Sequence, residues 1–301
     1  MIRSIFRTQS MLNKEVQSLK KKLVTYERGW PPGHFYSPIP DLEQVKKREE
    51  FIWNHDVKEI EGIDLREGEQ LEMLNAIAEH YKLQPWQDIK TNELRYFFQN
   101  PNFTYGESLV LFGLMMHLRP ARVLEIGSGY SSCAFIDINK QFFNGSMSIT
   151  LIEPYTDLLY SLIENSDKPS LTIYPNKLQD VKLEVFKELN EGDILFIDST
   201  HISKIDSDLN YIMFSILPAL KSGVYIHFHD IYYPFEYPKE WIYQGRAWNE
   251  IYLLRAFLQY NNDFELVYFN SMIGTKHTQL LQEKMPLCGK NPGSSIWMRK
   301  N

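Results

Sequence analysis

From Gly106 onward, short apolar runs alternate along the chain with segments of helical spacing, and polar turns separate the two. This alternation is typical of βαβ units, in which crossover helices join parallel strands. It predicts seven strands, at residues 122–126, 148–152, 171–174, 194–197, 225–228, 265–269 and 295–298. The connection before the last strand shows no helical pattern, which favours an antiparallel pair there. We therefore expect a doubly wound, Rossmann-like α/β sheet, mostly parallel with the last strand antiparallel, and an N-terminal helical extension.

The segment 1–28 places apolar side chains at heptad spacing. Ile5, Leu12 and Leu19 lie seven residues apart, and Val16 and Leu23 are interleaved with them. Such a seam predicts a basic amphipathic helix of about three heptads that pairs with another helix. Attachment to an anionic membrane surface and a targeting role are alternatives that the basic residues leave open. Pairing through this helix would make the protein a homo-oligomer.

Prolines and a glycine between positions 31 and 40 then interrupt any helix. A second, acidic region of helical spacing runs from about residue 41 to residue 81, and its apolar positions, including Leu74 and Ile77, are predicted core contacts. We divide the chain into the segment 1–28, an accessory cap region at 29–104 and a catalytic domain at 105–301.

The formal net charge of −6 and the isoelectric point of about 5.8 give no field for holding a phosphate backbone, so nucleic acid is not an expected partner. The charge is uneven, because residues 1–25 contain six basic residues and only one acidic residue, Glu15. Two cysteines do not suggest a disulfide framework, and they favour a reducing, cytoplasmic compartment. The apolar runs fall short of the roughly 20 residues that a membrane helix needs.

The residues 123–132 predict a strand that runs into a glycine turn and then into a helix. Gly127 and Gly129 would let the backbone approach a ligand closely, and the helix N-terminus presents free N–H groups. Ser132 stands where the dinucleotide fingerprint has its third glycine, which disfavours pyrophosphate as the ligand. Glu153 ends the next predicted strand, where a carboxylate accepts hydrogen bonds from both ribose hydroxyls.

This pattern resembles the class I S-adenosylmethionine-dependent methyltransferases over roughly residues 105–300. Glu125, Gly127 and Gly129 match the family's first motif, E-x-G-x-G, and Glu153 matches its acidic second motif. The resemblance implies S-adenosylmethionine as cofactor, with Glu125 near the methionine ammonium and an adenine contact after the third strand. The cofactor-binding residues that it implies are Glu125, Gly127, Ser128, Gly129, Glu153, Gln179 and Asp180. The structural alternatives are a carboxylate that satisfies loop N–H groups for Glu125 and a helix cap for Asp180.

Polar residues follow the fourth and fifth strands, where the active sites of open α/β sheets lie. Asp198 and His201 follow the fourth strand, and His229 and Asp230 end the fifth, while His227 is interpreted as a packed histidine. The spacing resembles that of metal-dependent O-methyltransferases of natural-product sugars.

That second resemblance implies His201 as general base and Asp198 as a catalytic residue. It also implies Mg²⁺ or another divalent cation held by Asp198, His229 and Asp230. His229 departs from those relatives, which commonly have a carboxylate at its position, so the metal and its identity stay open.

A dense aromatic loop follows Asp230, and such a loop suits a lid or a wall for a sugar or a ring system. Its candidate acceptor-lining residues, which could equally pack against the accessory region, are Tyr232, Tyr233, Tyr237, Trp241, Arg246 and Trp248. Asn249 and Glu250 are expected to open the helix that comes next.

We expect O-methylation of a hydroxyl on a carbohydrate or a glycosylated small molecule. An NAD(P)-dependent oxidoreductase would share the strand, the glycine turn and the acidic residue. A non-catalytic S-adenosylmethionine-binding scaffold, which works through its basic N-terminal helix, is the other alternative.

Overall fold

The computed structural model describes residues 11–21, 23, 29–54 and 57–301. The chain forms two compact units. One, the N-terminal unit, comprises Met1–Asn54 and Pro238–Ala247, and the other, the sheet unit, comprises His55–Tyr237 and Trp248–Asn301. The helix expected within the segment 1–28 is present at residues 11–21 and 23, and the rest of that segment lies outside the described residues.

The sheet unit contains one sheet of seven strands in the order β3-β2-β1-β4-β5-β7-β6. All neighbouring strands are parallel except β7, which runs antiparallel to both β5 and β6. The predicted doubly wound sheet is confirmed, and the last three strands are one or two residues longer than predicted. The strands are Arg122–Ile126 (β1), Ser148–Ile152 (β2), Leu171–Tyr174 (β3), Ile194–Ile197 (β4), Tyr225–His229 (β5), Phe264–Phe269 (β6) and Ser295–Lys300 (β7).

Helices separate the strands of the sheet unit and cover its sheet, and the N-terminal unit contains helices of its own. In the N-terminal unit they are residues 11–21 (α1), Leu42–Lys47 (α2), Glu49–Ile52 (α3) and Lys239–Tyr243 (α11). In the sheet unit they are Glu67–Ala78 (α4), Tyr105–Leu118 (α5), Tyr130–Phe142 (α6), Asp157–Leu162 (α7), Glu184–Lys187 (α8), Asp208–Tyr211 (α9), Leu217–Ala219 (α10), Glu250–Leu258 (α12), Asn270–Lys276 (α13) and Thr278–Lys284 (α14). Within the described residues, no helix is both long enough and apolar enough to span a membrane.

The connection between β6 and β7 corrects the sequence interpretation. Its final strand is antiparallel as expected, but the connection contains α13 and α14, where no helix was predicted. Both helices are only seven residues long. Gly274 and polar residues interrupt their apolar spacing, so the pattern over so short a segment carries little helical signal.

The burial of the central strands explains why they could be predicted from the sequence. All four residues of β4 are buried, as are Leu124 and Ile126 on β1. A parallel sheet that helices cover on both faces must bury nearly every residue of its central strands, which then appear as continuous apolar runs. Leu74 and Ile77 of α4 are fully buried, as predicted, and α4 packs against α5 and β6.

The segment before α5 is tied to α6 by the carboxylate of Asp137. Asp137 is buried and accepts hydrogen bonds from the backbone N–H groups of Arg95 and Tyr96 and from the indole of Trp86. Residues that precede the predicted catalytic domain therefore form part of the same packed unit as the sheet.

Three glycines surround Pro292 just before β7, and we call this contact the Pro292 clamp. A Cβ on Gly106 would lie 2.2 Å from the carbonyl carbon of Pro292, and one on Gly274 would lie 2.4 Å from its ring. Gly293 has a φ of +87°, and a Cβ there would lie 3.0 Å from the backbone nitrogen of Glu107. Side chains at these glycines would force apart the segment before β7 and the helices α5 and α13 that pack against it.

Candidate active site

Gly127 is required by the fold where β1 ends. Its φ is +81°, a left-handed conformation that favours glycine, and a Cβ would lie 1.9 Å from the carbonyl oxygen of Asp198. Its N–H donates to the carbonyl of Ile152 at 3.0 Å. Gly127 therefore lets the loop pass between the ends of β2 and β4.

Gly129 is different, because nothing in the protein itself requires a glycine there. Its φ of 178° is extended, and a Cβ at this position would have Leu158 Cδ2 as its nearest neighbour at 3.7 Å, an ordinary contact. Gly129 stands at the N-terminus of α6, where free backbone N–H groups point outward. The position leaves room for the close approach of a ligand.

The carboxylate of Glu153 lies at the end of β2 and faces the glycine loop. It accepts hydrogen bonds from the backbone N–H groups of Ser128, at 3.1 Å, and Tyr155, at 2.7 Å. Both oxygens are thereby held in place while the residue remains partly exposed. The aromatic ring of Tyr155 beside it is 79% exposed, a feature that the sequence interpretation did not single out.

A cleft of about 420 Å³ opens beyond the carboxyl ends of the strands, which is a typical volume for a small-molecule site. Gly127, Glu153, Gln179 and Asp198 line it, so the structure brings these four predicted residues together. Gln179 also donates to the carbonyl of Asp206, which lines the same cleft. Its other lining residues are Ile126, Ile152, Pro154, Tyr155, Lys177, Leu178, Ser199, Thr200, Lys204, Asp206, Ser207 and Asp208.

The four other predicted cofactor residues do not line this cleft. Asp180 is exposed at the end of a 3₁₀ turn, Leu178–Asp180, Ser128 and Gly129 lie in the loop between β1 and α6, and Glu125 lies on β1.

Glu125 is fully buried in the middle of β1. Its two carboxylate oxygens accept hydrogen bonds from the hydroxyls of Ser131 and Ser132, at the start of α6, and not from loop N–H groups. Burial raises the pKa of Glu125 to about 8 despite these bonds, and the charges of Asp198 and Glu153 add to the effect. The site therefore holds a carboxyl group whose charge is easily changed by a nearby cation.

Asp198, His201 and Asp230 converge beyond the ends of β4 and β5. His201 Nε2 lies 3.5 Å from Asp198 Oδ1 and 3.9 Å from Asp230 Oδ2. His201 and Asp230 have φ values of +59° and +56°, which cost residues other than glycine on the order of 1–3 kcal/mol each. Such strain is concentrated at functional sites, where the surrounding structure enforces it.

Glu250 holds His201 from the other side, and the sequence interpretation missed this contact. The Nδ1 atom of His201 lies 2.6 Å from Glu250 Oε2, and both side chains are buried. The backbone N–H groups of Asn249 and Glu250, at the start of α12, donate to the carbonyl of His201. The ring of Trp248 stacks on the imidazole at a centroid distance of 4.3 Å. The imidazole is therefore fixed with Nε2 directed at Asp198.

The charges in this cluster reinforce one another. Burial opposes the charged form of His201, but the carboxylates of Glu250 and Asp198 outweigh it and raise the pKa of His201 well above its ordinary value. Burial likewise opposes ionisation of Asp198, yet the positive charge of His229 and the hydrogen bond and charge of His201 lower its pKa to about 2. The neighbouring carboxylates therefore favour the protonated form of His201, and the histidines favour the ionised form of Asp198.

A second histidine cluster joins β5 to α5 and β7. His229 Nε2 lies 3.6 Å from Asp230 Oδ1 and 3.9 Å from Glu107 Oε1. Glu107 completes a capping box at the start of α5 and accepts a hydrogen bond from the hydroxyl of Ser294, which also donates to Asp230. His227 is buried and stacks on Phe196 at 3.8 Å, as expected of a packed histidine.

The predicted metal ligands do not form a ready-made site. Among the residues that the structure describes, no group of three or more His, Cys, Asp or Glu side chains is arranged to hold a metal ion. Asp198 faces the cleft, whereas the side chain of His229 is almost completely buried towards Glu107. In this conformation the side chains of Asp198, His229 and Asp230 therefore do not form an assembled metal site.

The six candidate acceptor-lining residues separate into three groups by their burial and by the unit to which they belong. Tyr233 and Tyr237 are buried, with the Tyr233 hydroxyl donating to the carbonyl of Val57 and the Tyr237 hydroxyl accepting from the N–H of Ile251. For Tyr233 and Tyr237, the structure agrees with the alternative that these rings pack inside the protein, and it does not place them at an exposed wall for the acceptor. Tyr232 and Trp248 are partly exposed in the sheet unit. Trp241 and Arg246 belong to the N-terminal unit, where the guanidinium lies 4.1 Å from the Trp241 ring centre.

Comparison with known proteins gives a match to a family model and a relative in an archaeon. A family model described as "Methyltransferase domain" matches residues 124–231, which include the glycine loop, the residues that line the cleft, and His201, His227 and His229. A protein of Archaeoglobus fulgidus, named only as uncharacterized, is 36% identical over 206 residues, which are 64% of this chain and 90% of that protein.

Several solved structures are similar to this chain at low sequence identity. An apo structure of CmcI is 20% identical and covers 66% of this chain and 72% of that one, with a TM-score of 0.41. The O-methyltransferase TomG from Streptomyces achromogenes, in complex with SAM, is 13% identical and covers 87% and 100%, with a TM-score of 0.41. Coclaurine N-methyltransferase is 10% identical and covers 86% and 92%, with a TM-score of 0.37.

Proposed function

Because this chain belongs to the class I S-adenosylmethionine-dependent methyltransferases, we propose that it methylates a hydroxyl group of a carbohydrate or a glycosylated small molecule. The observation that carries the proposal is the fixed imidazole of His201, which is held by Glu250 and directed at Asp198 on the wall of the cleft. Family membership also sets aside the nicotinamide-dependent oxidoreductase as an alternative.

The cleft residues fit S-adenosylmethionine. Glu153 is oriented by two backbone N–H groups and presents a carboxylate to the ribose hydroxyls, and Gly129 leaves space for the methionine part at the start of α6. Glu125 is assigned to the methionine ammonium, whose charge would stabilise the ionised form of this carboxyl. Gln179, Asp180 and the ring of Tyr155 are assigned to the adenine end. When bound, the cofactor supplies an electrophilic methyl group on a sulfonium.

His201 is assigned as the general base. A hydroxyl is a poor nucleophile until its proton leaves, whereas a neutral amine needs no base before it attacks, so a fixed base favours a hydroxyl acceptor. Asp198 would be shared between His201 and the positive charge of the bound cofactor, and this lowers the pKa of His201. Nε2 of His201 then accepts the acceptor's proton, and Glu250 stabilises the imidazolium that forms.

The acceptor wall is assigned to exposed aromatic residues. Partly exposed Trp248, which stacks on His201, and Tyr232 are the candidates from the sheet unit. Flat aromatic rings with nearby polar groups suit the faces and hydroxyls of sugars.

The proposed chemistry does not depend on a metal. Asp198, His229 and Asp230 remain the residues on which a divalent cation is proposed, and a cation there would lower the pKa of the acceptor hydroxyl. Because His229 would have to turn away from Glu107 to take part, we derive no step through it. Activity measured with Mg²⁺ and after treatment with EDTA tests this point.

The test combines cofactor binding with an acceptor screen. S-adenosylhomocysteine is titrated by calorimetry into the wild type, Glu153→Ala and His201→Asn, and methyl transfer to glycosides, free sugars and matched amines is followed with labelled S-adenosylmethionine. We expect Glu153→Ala to weaken binding and His201→Asn to bind normally but lose roughly 100-fold or more in turnover of a hydroxyl acceptor.

Other results would replace the proposal. Turnover of an amine that survives His201→Asn would assign the enzyme to N-methylation. Binding of the cofactor without turnover of any acceptor, in the wild type, would favour the non-catalytic scaffold.

A further inference from the structure

A row of apolar side chains on α1 is exposed, although such residues are normally buried. Leu12, Val16, Leu19 and Leu23 expose 57%, 41%, 57% and 59% of their surface. At 100° per residue, these four positions fall within an arc of about 60° on the helix. We call this row the α1 seam.

The width of the α1 seam distinguishes between kinds of partner. A helix that lies on a globular core or at a membrane surface typically carries an apolar stripe of roughly 100° or more. A narrower seam, with apolar residues spaced alternately four and three apart, is that of a coiled coil. Leu12, Val16, Leu19 and Leu23 have this spacing and occupy heptad positions d, a, d and a.

The charged residues beside the α1 seam indicate the relative direction of the two paired helices. Glu15 falls at position g and Lys20 at position e of the next heptad. In a parallel, in-register pair, g of one helix lies beside e of the following heptad of the other helix. Glu15 of each copy therefore faces Lys20 of the other copy, and the two pairs are equivalent by the two-fold symmetry.

The seam residues also favour two strands. A β-branched residue at a, here Val16, combined with leucine at d, here Leu12 and Leu19, is the preference of parallel dimers. We propose that α1 pairs with α1 of a second copy of this chain as a parallel two-stranded coiled coil and so forms a homodimer. The same heptad spacing continues in the sequence to Ile5, which lies outside the described residues.

Cysteine crosslinking on the full chain tests the pairing and its direction. The native thiols of Cys133 and Cys288 are buried, so a cysteine introduced on α1 is the reactive one. We expect Leu12→Cys and Leu23→Cys each to form a disulfide-linked dimer with itself on mild oxidation. Gln17→Cys, on the opposite face of the helix, is the matched control and should stay unlinked.

An antiparallel pair gives a different pattern from the same variants. Neither Leu12→Cys nor Leu23→Cys would crosslink with itself, but a mixture of the two would, and the proposal would be overturned. Equal crosslinking of Gln17→Cys would overturn it as well, because it would indicate random collision.

A charge exchange tests the partner independently of the seam. Glu15→Lys and Lys20→Glu each place like charges at both contacts, so each variant alone should dimerise at least tenfold more weakly by light scattering. When the two variants are mixed, both contacts become attractive and a heterodimer should form. Unchanged dimerisation of the single variants would contradict the proposal.

The membrane alternative has its own outcome. If the wild type is monomeric at micromolar concentration and cosediments with phosphatidylglycerol vesicles but not with phosphatidylcholine vesicles, the α1 seam binds a membrane surface and the dimer proposal is wrong.

Val16→Asp tests the seam itself. This variant should not dimerise, but it should still bind S-adenosylhomocysteine in calorimetry, which would show that its sheet unit is folded.

Discussion

The charge of His201 depends on one buried carboxylate. Glu250 lies 2.6 Å from Nδ1 and raises the pKa of the imidazole, together with Asp198. Glutamine at position 250 keeps the size and an acceptor oxygen but removes the charge. The consequence appears in the pH dependence of the reaction, because a base works only where it is unprotonated.

For Glu250→Gln we expect kcat to fall roughly 100-fold at neutral pH, with little change in the KM for the cofactor. Loss of the neighbouring negative charge lowers the pKa of His201, so the acidic limb of the profile of kcat against pH should move to lower pH. Glu184→Gln, at an exposed residue of α8, is the control. A normal kcat with an unmoved limb would show that Glu250 only supports the fold.

Glu125 links stability to pH. Its pKa of about 8 in the folded protein is above the ordinary 4.5, so the folded state holds this proton more tightly than the unfolded state. The free energy of unfolding therefore falls as the pH rises from about 4.5 to about 8, and it is highest below that range. A neutral residue of the same shape avoids this loss.

Glu125→Gln should accordingly be as stable as the wild type at pH 4 but more stable at pH 8, by roughly 4 kcal/mol. Urea unfolding at several pH values measures the difference, and the hydroxyls of Ser131 and Ser132 can still donate to the amide oxygen. If the two proteins lose stability in parallel across this range, the carboxyl of Glu125 is already ionised at neutral pH.

At the level of elements, the loop between β1 and α6 contains two glycines with separate roles. Gly127→Ala brings a Cβ against the Asp198 carbonyl at a left-handed φ and should destabilise the protein by about 2 kcal/mol or more. Gly129→Ala meets no protein atom closer than 3.7 Å, so its effect on stability should be below about 0.5 kcal/mol.

In ligand binding, unlike in stability, we expect Gly129→Ala to have a clear effect. Gly129→Ala places a methyl group where the cofactor is proposed to approach, and its affinity for S-adenosylhomocysteine should drop about tenfold or more. Thermal melts with and without the ligand measure both quantities on the same two variants. A Gly129→Ala variant of normal affinity would show that the cofactor lies farther from this turn.

The strands could be predicted from the sequence because burial on both faces leaves continuous apolar runs, as in β4. Helices α13 and α14 could not, because seven residues with Gly274 among them carry too weak a pattern. The cleft residues Gly127 and Glu153 were predictable because the strand ends fix their places.

Glu250 and Glu107 were missed for a physical reason. A carboxylate in the first turn of a helix already has a local explanation, since it stabilises the helix dipole or completes a capping box. Their contacts to His201 and His229 are between residues far apart in the chain, and only the folded structure shows them. Tyr237 was misassigned because an aromatic loop residue has the same pattern whether it packs inward or faces a ligand.

For the whole molecule, the cofactor should act as a stabiliser, because it binds the folded state of the sheet unit alone. At a concentration one hundred times the dissociation constant, S-adenosylhomocysteine should raise the free energy of unfolding by about 2.7 kcal/mol. The midpoint of thermal unfolding should rise with ligand concentration in the wild type and much less in Glu153→Ala. A midpoint insensitive to the ligand would contradict binding in this cleft.

The Pro292 clamp also bears on how related sequences should be compared. Gly106, Gly274 and Gly293 do not line the cleft. Gly106 and Gly274 nevertheless contact Pro292, and Gly293 contacts Glu107 and Asn270, so closely that none of the three tolerates a side chain by itself. Over evolutionary time these positions should change together with Pro292 or not at all. In an alignment of related sequences, these glycines should be as invariant as Gly127. An invariant glycine therefore does not by itself indicate a ligand site, because close packing alone can require it.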